Sequence, residues 1–323
     1  MEVKQRKIFG HGKQEETLAK TITSGKIFPV WIFYGKDGIG KESIAVKFAK
    51  CLLIDKFTAQ QGLDLDDDHL IHSQVDHRIH PDFFMLDMPS ISVDTLRSSM
   101  NKIRMTPTVA RRRVVIISNA EALNKNACNA LLKILEEPPR DAIFILLCSN
   151  LGPIPITLLS RAYKLQFHPL DETILEMILR LHEVEDPHVL AKISEGSVGT
   201  ALRIHDLNGT KLYRDILRIL PSDYLSANEF LASVIENQSD ESFFVLKKLI
   251  IQALKTYIDH ITGINEEEIF ETIHVNSISN EIEKVNSIIS LLNEGEILQL
   301  DKNAMIAEAF ELFFERSRYE SGY

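Results

Sequence analysis

Through about residue 170, apolar runs bounded by turn signals alternate with segments of helical period. The runs predict four strands, FPVWIFY (28–34), DFFMLDM (82–88), RVVIIS (113–118) and AIFILLC (142–148). Helical patterns lie between them at 41–53, 92–104 and 124–137, and the last one ends because Pro138 and Pro139 cannot continue a helix. The alternation predicts an α/β domain in which helices cover a parallel sheet.

The remainder of the chain shows helical patterns without strand candidates. Short amphipathic segments at 171–206 predict a small helical region, and from 207 to 323 apolar residues recur at spacings of three and four, as in an all-α domain. The acidic, histidine-rich segment 63–80 lacks periodicity and is predicted to be a surface excursion. One apolar stripe is interpreted as core, with a subunit interface as the alternative: Leu246, Leu249, Ile250, Ala253, Leu254 and Tyr257.

Composition limits the class of protein. The chain has 323 residues and 45% hydrophobic content, which suffices for about two or three compact domains. Its longest strongly apolar run, 142–148, falls short of the ~18 residues that a membrane-spanning helix needs, and no signal-peptide core is seen, so we expect a cytoplasmic protein. The three cysteines, Cys51, Cys128 and Cys148, lie in apolar segments without a CxxC pair, which predicts buried thiols and neither disulfides nor a cysteine zinc site.

The charge balance bears on nucleic-acid binding. A formal net charge of −10 argues against tight DNA binding by bulk charge. The densest basic cluster, Arg111 to Arg113, precedes an apolar run and is interpreted as a solvated strand entrance, with a local basic face as the alternative.

The stretch GKDGIGKES (35–43) nearly completes a phosphate-binding loop. Gly35, Gly40 and Lys41 meet the pattern G-x-x-x-x-G-K-[ST], Gly38 adds backbone freedom, and the stretch lies between a predicted strand and a predicted helix. In such a loop the backbone N–H groups, the helix N-terminus and the lysine all face phosphate oxygens. The sequence therefore predicts a cradle shaped for a nucleotide.

The residues that would hold magnesium are missing from this pattern. Glu42 occupies the position of the hydroxyl ligand, and Ser43 is displaced from it by about 100° on the helix. Ser118 and Asn119 occupy the positions at the end of the third predicted strand where an ATPase needs carboxylates, and Glu121 is interpreted as a helix-start charge. We predict a vestigial loop that does not hydrolyse ATP.

Longer motifs resemble the clamp-loader branch of the AAA+ proteins. NACNALLKILEEPP (126–139), a strand and then PITLLSRA (155–162) carry this resemblance. The segments 8–43, HPDFF (80–84) and SEGSVGTALRI (194–204) make the chain similar to the delta prime family of bacterial DNA polymerase III subunits. The resemblance covers roughly 8–206, whereas the C-terminal third is similar only in its helical character.

The resemblance implies three domains: an AAA+ P-loop-type domain (1–170), a small helical lid (171–206) and a helical collar, or oligomerisation, domain (207–323). It implies a hetero-pentameric ring with ATPase motor and delta subunits, which loads the sliding clamp onto primed DNA and reaches clamp and primer-template DNA through the complex. Because delta prime members do not hydrolyse ATP, it implies a subunit of the polymerase holoenzyme that is no enzyme by itself. The substitutions at Glu42, Ser118 and Asn119 agree with this implication.

Within this resemblance, Ser160 and Arg161 match the SRC motif, whose arginine reaches the ATP of a neighbouring subunit. A planar, permanently charged guanidinium stabilises charge on a transferring phosphoryl group. The alternative is that Arg161 only ends a surface loop. Ala162 replaces the motif's cysteine, an expected change in packing, and Gly199 stands where active members carry an arginine that contacts their own nucleotide.

The family's four-cysteine zinc module is also missing. Its region holds Cys51 and two HxxH pairs, His69 with His72 and His77 with His80. Imidazole nitrogens bind zinc, but all-histidine structural sites are uncommon, so we expect no metal. We expect no cofactor and weak or absent binding of ATP or ADP.

Two other functions stay open. One is an ATP-hydrolysing motor subunit of the same complex, and the other is a solitary nucleic-acid-binding protein that has kept the fold. ATP hydrolysis by the isolated chain would distinguish the motor subunit from the non-hydrolysing subunit. The solitary nucleic-acid-binding protein would need a coherent basic surface.

Overall fold

A computed structural model describes residues 9–54, 62–65, 69–86, 103, 105–123, 125–136, 139, 141–235, 239–264, 270, 277–297 and 301–314. The chain divides into two compact units, the first formed by Met1–His182 and Ser194–Thr200 and the second by Glu183–Ile193 and Ala201–Tyr323. The three-domain division expected from the sequence is finer than this one and stays a prediction.

Strands and helices alternate in unit 1. The strands are β1 (Val30–Tyr34), β2 (Phe83–Leu86), β3 (Arg113–Ile117), β4 (Ala142–Cys148) and β5 (Tyr163–Gln166). The helices are α1 (Gly12–Thr23), α2 (Lys41–Leu53), α3 (Ile71–Asp76), α4 (Lys125–Glu136), α5 (Ile156–Leu159) and α6 (Glu172–Leu181). The four predicted strands and the helices at 41–53 and 124–137 are confirmed, whereas most of the predicted helix 92–104 lies outside the described residues.

The strands form one sheet in the order β2-β3-β4-β1-β5, and all its pairings are parallel. In the register, Trp31 lies opposite Ile145 on one side and Tyr163 on the other. The parallel sheet predicted from the apolar runs is therefore confirmed. Parallel strands place all their carboxyl ends at one edge, so the segments after β1, β3 and β4 meet there.

Both faces of the sheet are buried, as parallel sheets require. One face carries Trp31, Phe33 and Ile145 and packs against α1, α2 and α3. The other carries Ile32 and Phe144 and packs against apolar residues of α4 and α5. This burial explains why β1, β3 and β4 read as continuous apolar runs in the sequence.

Unit 2 is helical throughout its described part. Its helices are α7 (Pro187–Ile193), α8 (Val198–Asp206, whose first turn belongs to unit 1), α9 (Gly209–Ile219), α10 (Tyr224–Ile235), α11 (Asp240–Ile261), α12 (Ile278–Ile297) and α13 (Lys302–Phe314). All six residues of the apolar stripe on α11 are buried within this unit, so the interpretation of the stripe as core is confirmed. None of the described helices is long and apolar enough to cross a bilayer.

The segment 63–80 differs from the predicted surface excursion. Leu63, Ile71 and Val75 are buried, and the last two lie on α3, which packs against the core of unit 1. The prediction failed because α3 is too short, at six residues, to show a helical period. Residues 66–68 lie outside the described part.

Candidate functional site

The glycine-rich loop lies at the carboxyl edge of the sheet, between β1 and α2. Gly35 follows β1 directly and donates its N–H to the carbonyl of Cys148 at 3.2 Å. Gly40 is the N-cap of α2, and Lys41 is the first residue of that helix. The structure thus brings Gly35, Gly38, Gly40 and Lys41 together in the strand–loop–helix arrangement that the sequence predicted.

Lys41 is buried, and its ammonium group is bonded to its own loop. The Nζ atom donates to the carbonyl of Gly35, to the carbonyl of Lys36 at 2.9 Å and to Oδ1 of Asp37 at 3.3 Å. An ammonium group has three N–H donors, so these three acceptors use all of them. A phosphate oxygen that approached Lys41 would compete with these loop acceptors.

The segment 194–200, here called the strap, lies directly on the loop. The Gly199 N–H donates to the Gly38 carbonyl at 2.9 Å, and Ser197 Oγ donates to the Asp37 carbonyl at 2.8 Å. Lys36 Nζ contacts Glu195 Oε2 at 2.5 Å. These bonds hold the strap against the outer side of the loop.

The strap and the loop approach most closely at two glycines. A Cβ atom built on Gly199 would lie 2.8 Å from Gly38 Cα, and one built on Gly38 would lie 2.9 Å from Gly199 Cα. Neither position accepts a side chain without a shift of backbone. An arginine at position 199 is therefore incompatible with this arrangement.

The residues after β3 have local structural contacts. Asn119 Oδ1 accepts the N–H of Ala122 and caps a single turn of 3₁₀ helix at Ala120–Ala122. Ser118 Oγ is buried without a hydrogen-bond partner in the described part of the chain. These two side chains therefore supply no carboxylate at the positions that an ATPase would use for magnesium.

Glu121 ties this turn to the end of β4. One of its carboxylate oxygens accepts the N–H groups of Ser149 at 2.6 Å and Asn150 at 3.1 Å. Ser149 Oγ in turn donates to the carboxylate of Asp37, at 2.9 and 3.0 Å. Glu121 thus holds the backbone after β4 rather than acting only as a charge at a helix start.

His11 is a neighbour of the loop that sequence reasoning missed. Its Nε2 atom lies 2.7 Å from the carbonyl of Ile39, and its ring packs edge-on against Phe167. Burial lowers the pKa of His11, although the hydrogen bond to Ile39 opposes this effect. No motif marks this histidine, because its partner lies 28 residues away in the sequence.

Ser160 and Arg161 lie on a different turn, at the end of α5. Both are exposed, and both donate to the carbonyl of Thr157, Ser160 from Oγ at 3.0 Å and Arg161 from Nη1 at 3.0 Å. The half-buried Ala162 packs against the core beneath, in keeping with the expected packing role at this position. The structure therefore presents the Arg161 guanidinium at the surface, on a turn that is separate from the glycine-rich loop.

The histidine-rich segment uses its imidazoles for backbone contacts. His69 Nδ1 accepts the N–H of Ile71, His77 Nδ1 lies 2.8 Å from the Ser73 carbonyl, and His80 Nδ1 accepts the N–H of Asp82. Across the residues with described positions, no three His, Cys, Asp or Glu side chains gather in a way that would hold a metal ion. The segment is joined to α2 by Lys47 with Asp64 at 2.7 Å and Lys50 with Asp76 at 2.7 Å.

All three thiols are free and buried, as the apolar segments around them predicted. Cys51 Sγ donates to the carbonyl of Leu63 at 3.2 Å, so it also helps to join α2 to the following segment. Burial raises the pKa of Cys51 and of Cys148 to about 12. Both thiols are therefore protonated and poorly nucleophilic at neutral pH.

The interpretation of the whole basic cluster as a solvated strand entrance is wrong for Arg113. Arg113 is buried at the start of β3, and its Nη2 donates to Asp82 Oδ1 at 2.8 Å. Asp82 also accepts the N–H groups of Thr108, Val109 and Ala110. Burial alone would raise the pKa of Asp82, but these donors outweigh it and lower the pKa to about 2.

Comparison with known proteins gives one family and several relatives. The family described as "DNA polymerase III, delta subunit" matches residues 10–171. The DNA polymerase III subunit gamma of Buchnera aphidicola subsp. Acyrthosiphon pisum is 27% identical over 311 residues, which cover 87% of this chain and 84% of that protein. The subunit delta' of Pseudomonas aeruginosa is 32% identical over 185 residues, which cover 54% of this chain and 55% of that protein.

Other similarities are more partial or more distant. The subunit tau of Escherichia coli K12 is 31% identical over 198 residues, which cover 58% of this chain but 30% of that protein. A gamma subunit-related protein from Thermotoga maritima is 18% identical, with a TM-score of 0.48, over 94% of this chain and 99% of that one. The family match covers half of the chain.

Proposed function

Because this chain belongs to the family described as DNA polymerase III, delta subunit, within the clamp-loader proteins of the AAA+ class, we propose that it is a non-hydrolysing clamp-loader subunit of the delta prime type. In this role it assembles with ATPase motor subunits and a delta subunit in a ring of five. The ring loads the sliding clamp onto primed DNA, and this chain supplies Arg161 to the nucleotide of a neighbour.

The main support is the set of contacts that Lys41 makes with its own loop. Its three donors are used by the carbonyls of Gly35 and Lys36 and by the carboxylate of Asp37. A triphosphate would have to compete with these acceptors and would approach three carboxylates that carry its own sign of charge, Asp37, Glu42 and Glu121. Like charges at short range raise the cost of binding.

Two further observations point in the same direction. The strap is bonded to the loop at Asp37 and Gly38, and its Gly199 leaves no room for an arginine beside the nucleotide. Ser118 and Asn119 supply no carboxylate, so the described site lacks the ligands that would fix magnesium and orient water. We therefore infer weak or absent nucleotide binding and no hydrolysis. We infer no bound zinc because the chain lacks the four-cysteine module.

Arg161 supports the second half of the proposal. It is exposed at the end of a one-turn helix, and its guanidinium bonds to the backbone of that turn. Arginine keeps its charge at all accessible pH values and binds phosphate oxygens in a fork, which suits it to act on the ATP of a neighbouring chain. Such an arginine finger raises hydrolysis by ~10³-fold or more where it has been measured.

The proposal is tested with the isolated chain and with the assembled loader. The isolated chain is titrated with labelled ATP and ADP, with Lys41→Ala as control, and is assayed for hydrolysis. Arg161→Ala is then assembled with the other subunits, and ATP turnover is measured with clamp and primed DNA present. We expect no turnover by the isolated chain and a large loss in the Arg161→Ala complex, whereas unchanged turnover in that complex would refute the role of Arg161.

One observation favours the alternative, an ATP-hydrolysing motor subunit. The relatives that match most of the chain include proteins named subunit gamma, with 87% of this chain covered in one case. Robust hydrolysis by the isolated chain, abolished in Lys41→Ala, would establish the motor subunit. Recovery of the native protein with other clamp-loader subunits would exclude a solitary nucleic-acid-binding protein.

A further inference from the structure

Residues 155–161, here called the SR turn, combine an apolar and a cationic group on one exposed surface. The turn begins at Pro155, forms the single turn α5 and ends with Ser160 and Arg161. Ile156 is 80% exposed, and Thr157, Ser160 and Arg161 are exposed as well. Ile156 and Ser160 lie at positions i and i+4, one above the other, and Arg161 Nη1 reaches back to the carbonyl of Thr157, so the apolar and cationic groups lie on the same short turn.

The opposite side of the turn is anchored in the core of unit 1. Leu158 is buried against the sheet face that also carries Phe144, and Ile154 is buried just before the turn. The carbonyl of Thr157 accepts both the Ser160 hydroxyl and the Arg161 guanidinium. The exposed surface is therefore held in a fixed orientation by packing beneath it and by hydrogen bonds across it.

Ile156 does not stand alone as an accessible apolar group. Pro153 is exposed, and Pro155 and Leu159 are half-buried, so apolar surface continues along the chain on both sides of Ile156. An isolated exposed aliphatic side chain needs no explanation, but an apolar patch joined to a positioned cation is typical of a binding surface. Its complement is an anion bordered by apolar surface.

We propose that Ile156 and its apolar neighbours dock on the ATPase subunit that receives Arg161, next to the phosphates of its nucleotide. This inference rests on the proposed function. The positive charge of Arg161 selects the anionic nucleotide, and Ile156 supplies the desolvated contact that holds the turn against the rim of that site. Arg161 then acts on the nucleotide, whereas Ile156 acts as a positioning residue.

The test uses the complete loader reconstituted from purified subunits. This chain is titrated into the other subunits, and ATP turnover is recorded with clamp and primed DNA, so that the half-maximal concentration and the plateau are measured separately. We expect Ile156→Ser to raise the half-maximal concentration about tenfold, which corresponds to ~1.4 kcal/mol of association free energy. Arg161→Ala is expected to lower the plateau instead.

Ile79→Ser is the matched control, because Ile79 is 68% exposed and, like Ile156, lies in unit 1. Ile156→Leu should restore the half-maximal concentration, since it keeps an aliphatic side chain of equal size. Trp31 fluorescence checks that each variant is folded. Equal half-maximal concentrations for Ile156→Ser and Ile79→Ser would overturn the docking role alone, whereas an unchanged plateau in Arg161→Ala would instead overturn the proposed function.

Discussion

The contact between strap and loop can be tested by adding one methyl group to Gly38. Gly38 has a φ angle of +72°, and a Cβ built there would lie 2.5 Å from Ser197 Oγ and 2.9 Å from Gly199 Cα. Gly25 has nearly the same φ angle, +68°, but a Cβ built there meets nothing within 4 Å. Gly25→Ala is therefore a matched control that has the backbone strain without the steric clash.

The expected magnitudes differ enough to be measured. An alanine in the left-handed region costs about 1 kcal/mol in either variant. Gly38→Ala also overpacks a close contact, which typically costs ~1–3 kcal/mol, and the Gly199 backbone cannot rotate away as a side chain could. We expect Gly38→Ala to lower the free energy of unfolding by roughly 2–4 kcal/mol, and Gly25→Ala by about 1 kcal/mol.

Urea unfolding followed by tryptophan fluorescence measures this difference in unit 1. Trp31 is the sole tryptophan of the chain, and it lies buried in β1 between Phe33 and Phe48. Its emission therefore reports on the unit that contains both the loop and the strap. If the two variants lose equal stability, the strap does not pack on the loop as described.

Three further predictions concern buried titratable groups. Asp82→Asn should lower the free energy of unfolding by about 3 kcal/mol, because it leaves the Arg113 charge buried without its carboxylate. The folded pKa of Asp82, about 2, lies below the unfolded value near 3.9, so Asp82 should contribute a loss of roughly 2 kcal/mol as the pH falls from 4 towards 2. Urea unfolding should show this contribution in the wild-type protein and not in Asp82→Asn. Burial lowers the pKa of His11, so the folded state binds a proton less readily than the unfolded state, and the free energy of unfolding should fall as the pH drops below about 6.5. His11→Gln should make the free energy of unfolding less dependent on pH in this range, and an unchanged slope would contradict the role of His11. Cys51 and Cys148 should resist iodoacetamide at pH 8 in the native protein and react in urea, as followed by mass spectrometry, and rapid native labelling would show that these thiols are not buried.

The parallel sheet could be predicted because its central strands are buried on both faces. β3 and β4 are buried along their whole length, so each appears in the sequence as an unbroken apolar run. The edge strand β5 was missed, since only Leu165 of its four residues is buried and no run marks it. Sequence pattern thus finds strands by their burial rather than by their pairing.

The candidate site could be predicted where its chemistry is local in sequence. The loop between β1 and α2 is one contiguous motif, and its glycines and lysine were identified from spacing alone. The contacts that close it were not, because Lys36 meets Glu195 across 159 residues and His11 meets Ile39 across 28. Arg113 was misinterpreted for the same reason, since its carboxylate partner lies 31 residues earlier.

These long-range contacts also bear on the proposal that the loop keeps a nucleotide-binding pattern without binding a nucleotide. A Cβ at Gly35 would run into the carbonyl of Phe167, and one at Gly38 would run into the strap, so both positions exclude side chains for reasons of packing. Lys41 is buried and donates hydrogen bonds to two backbone carbonyls of the loop, those of Gly35 and Lys36. Because the glycines and the lysine are required by the folded loop itself, their presence is weak support for nucleotide binding. A magnesium site needs further residues, and Glu42, Ser118 and Asn119 occupy the positions where the ATPase pattern has a hydroxyl or a carboxylate.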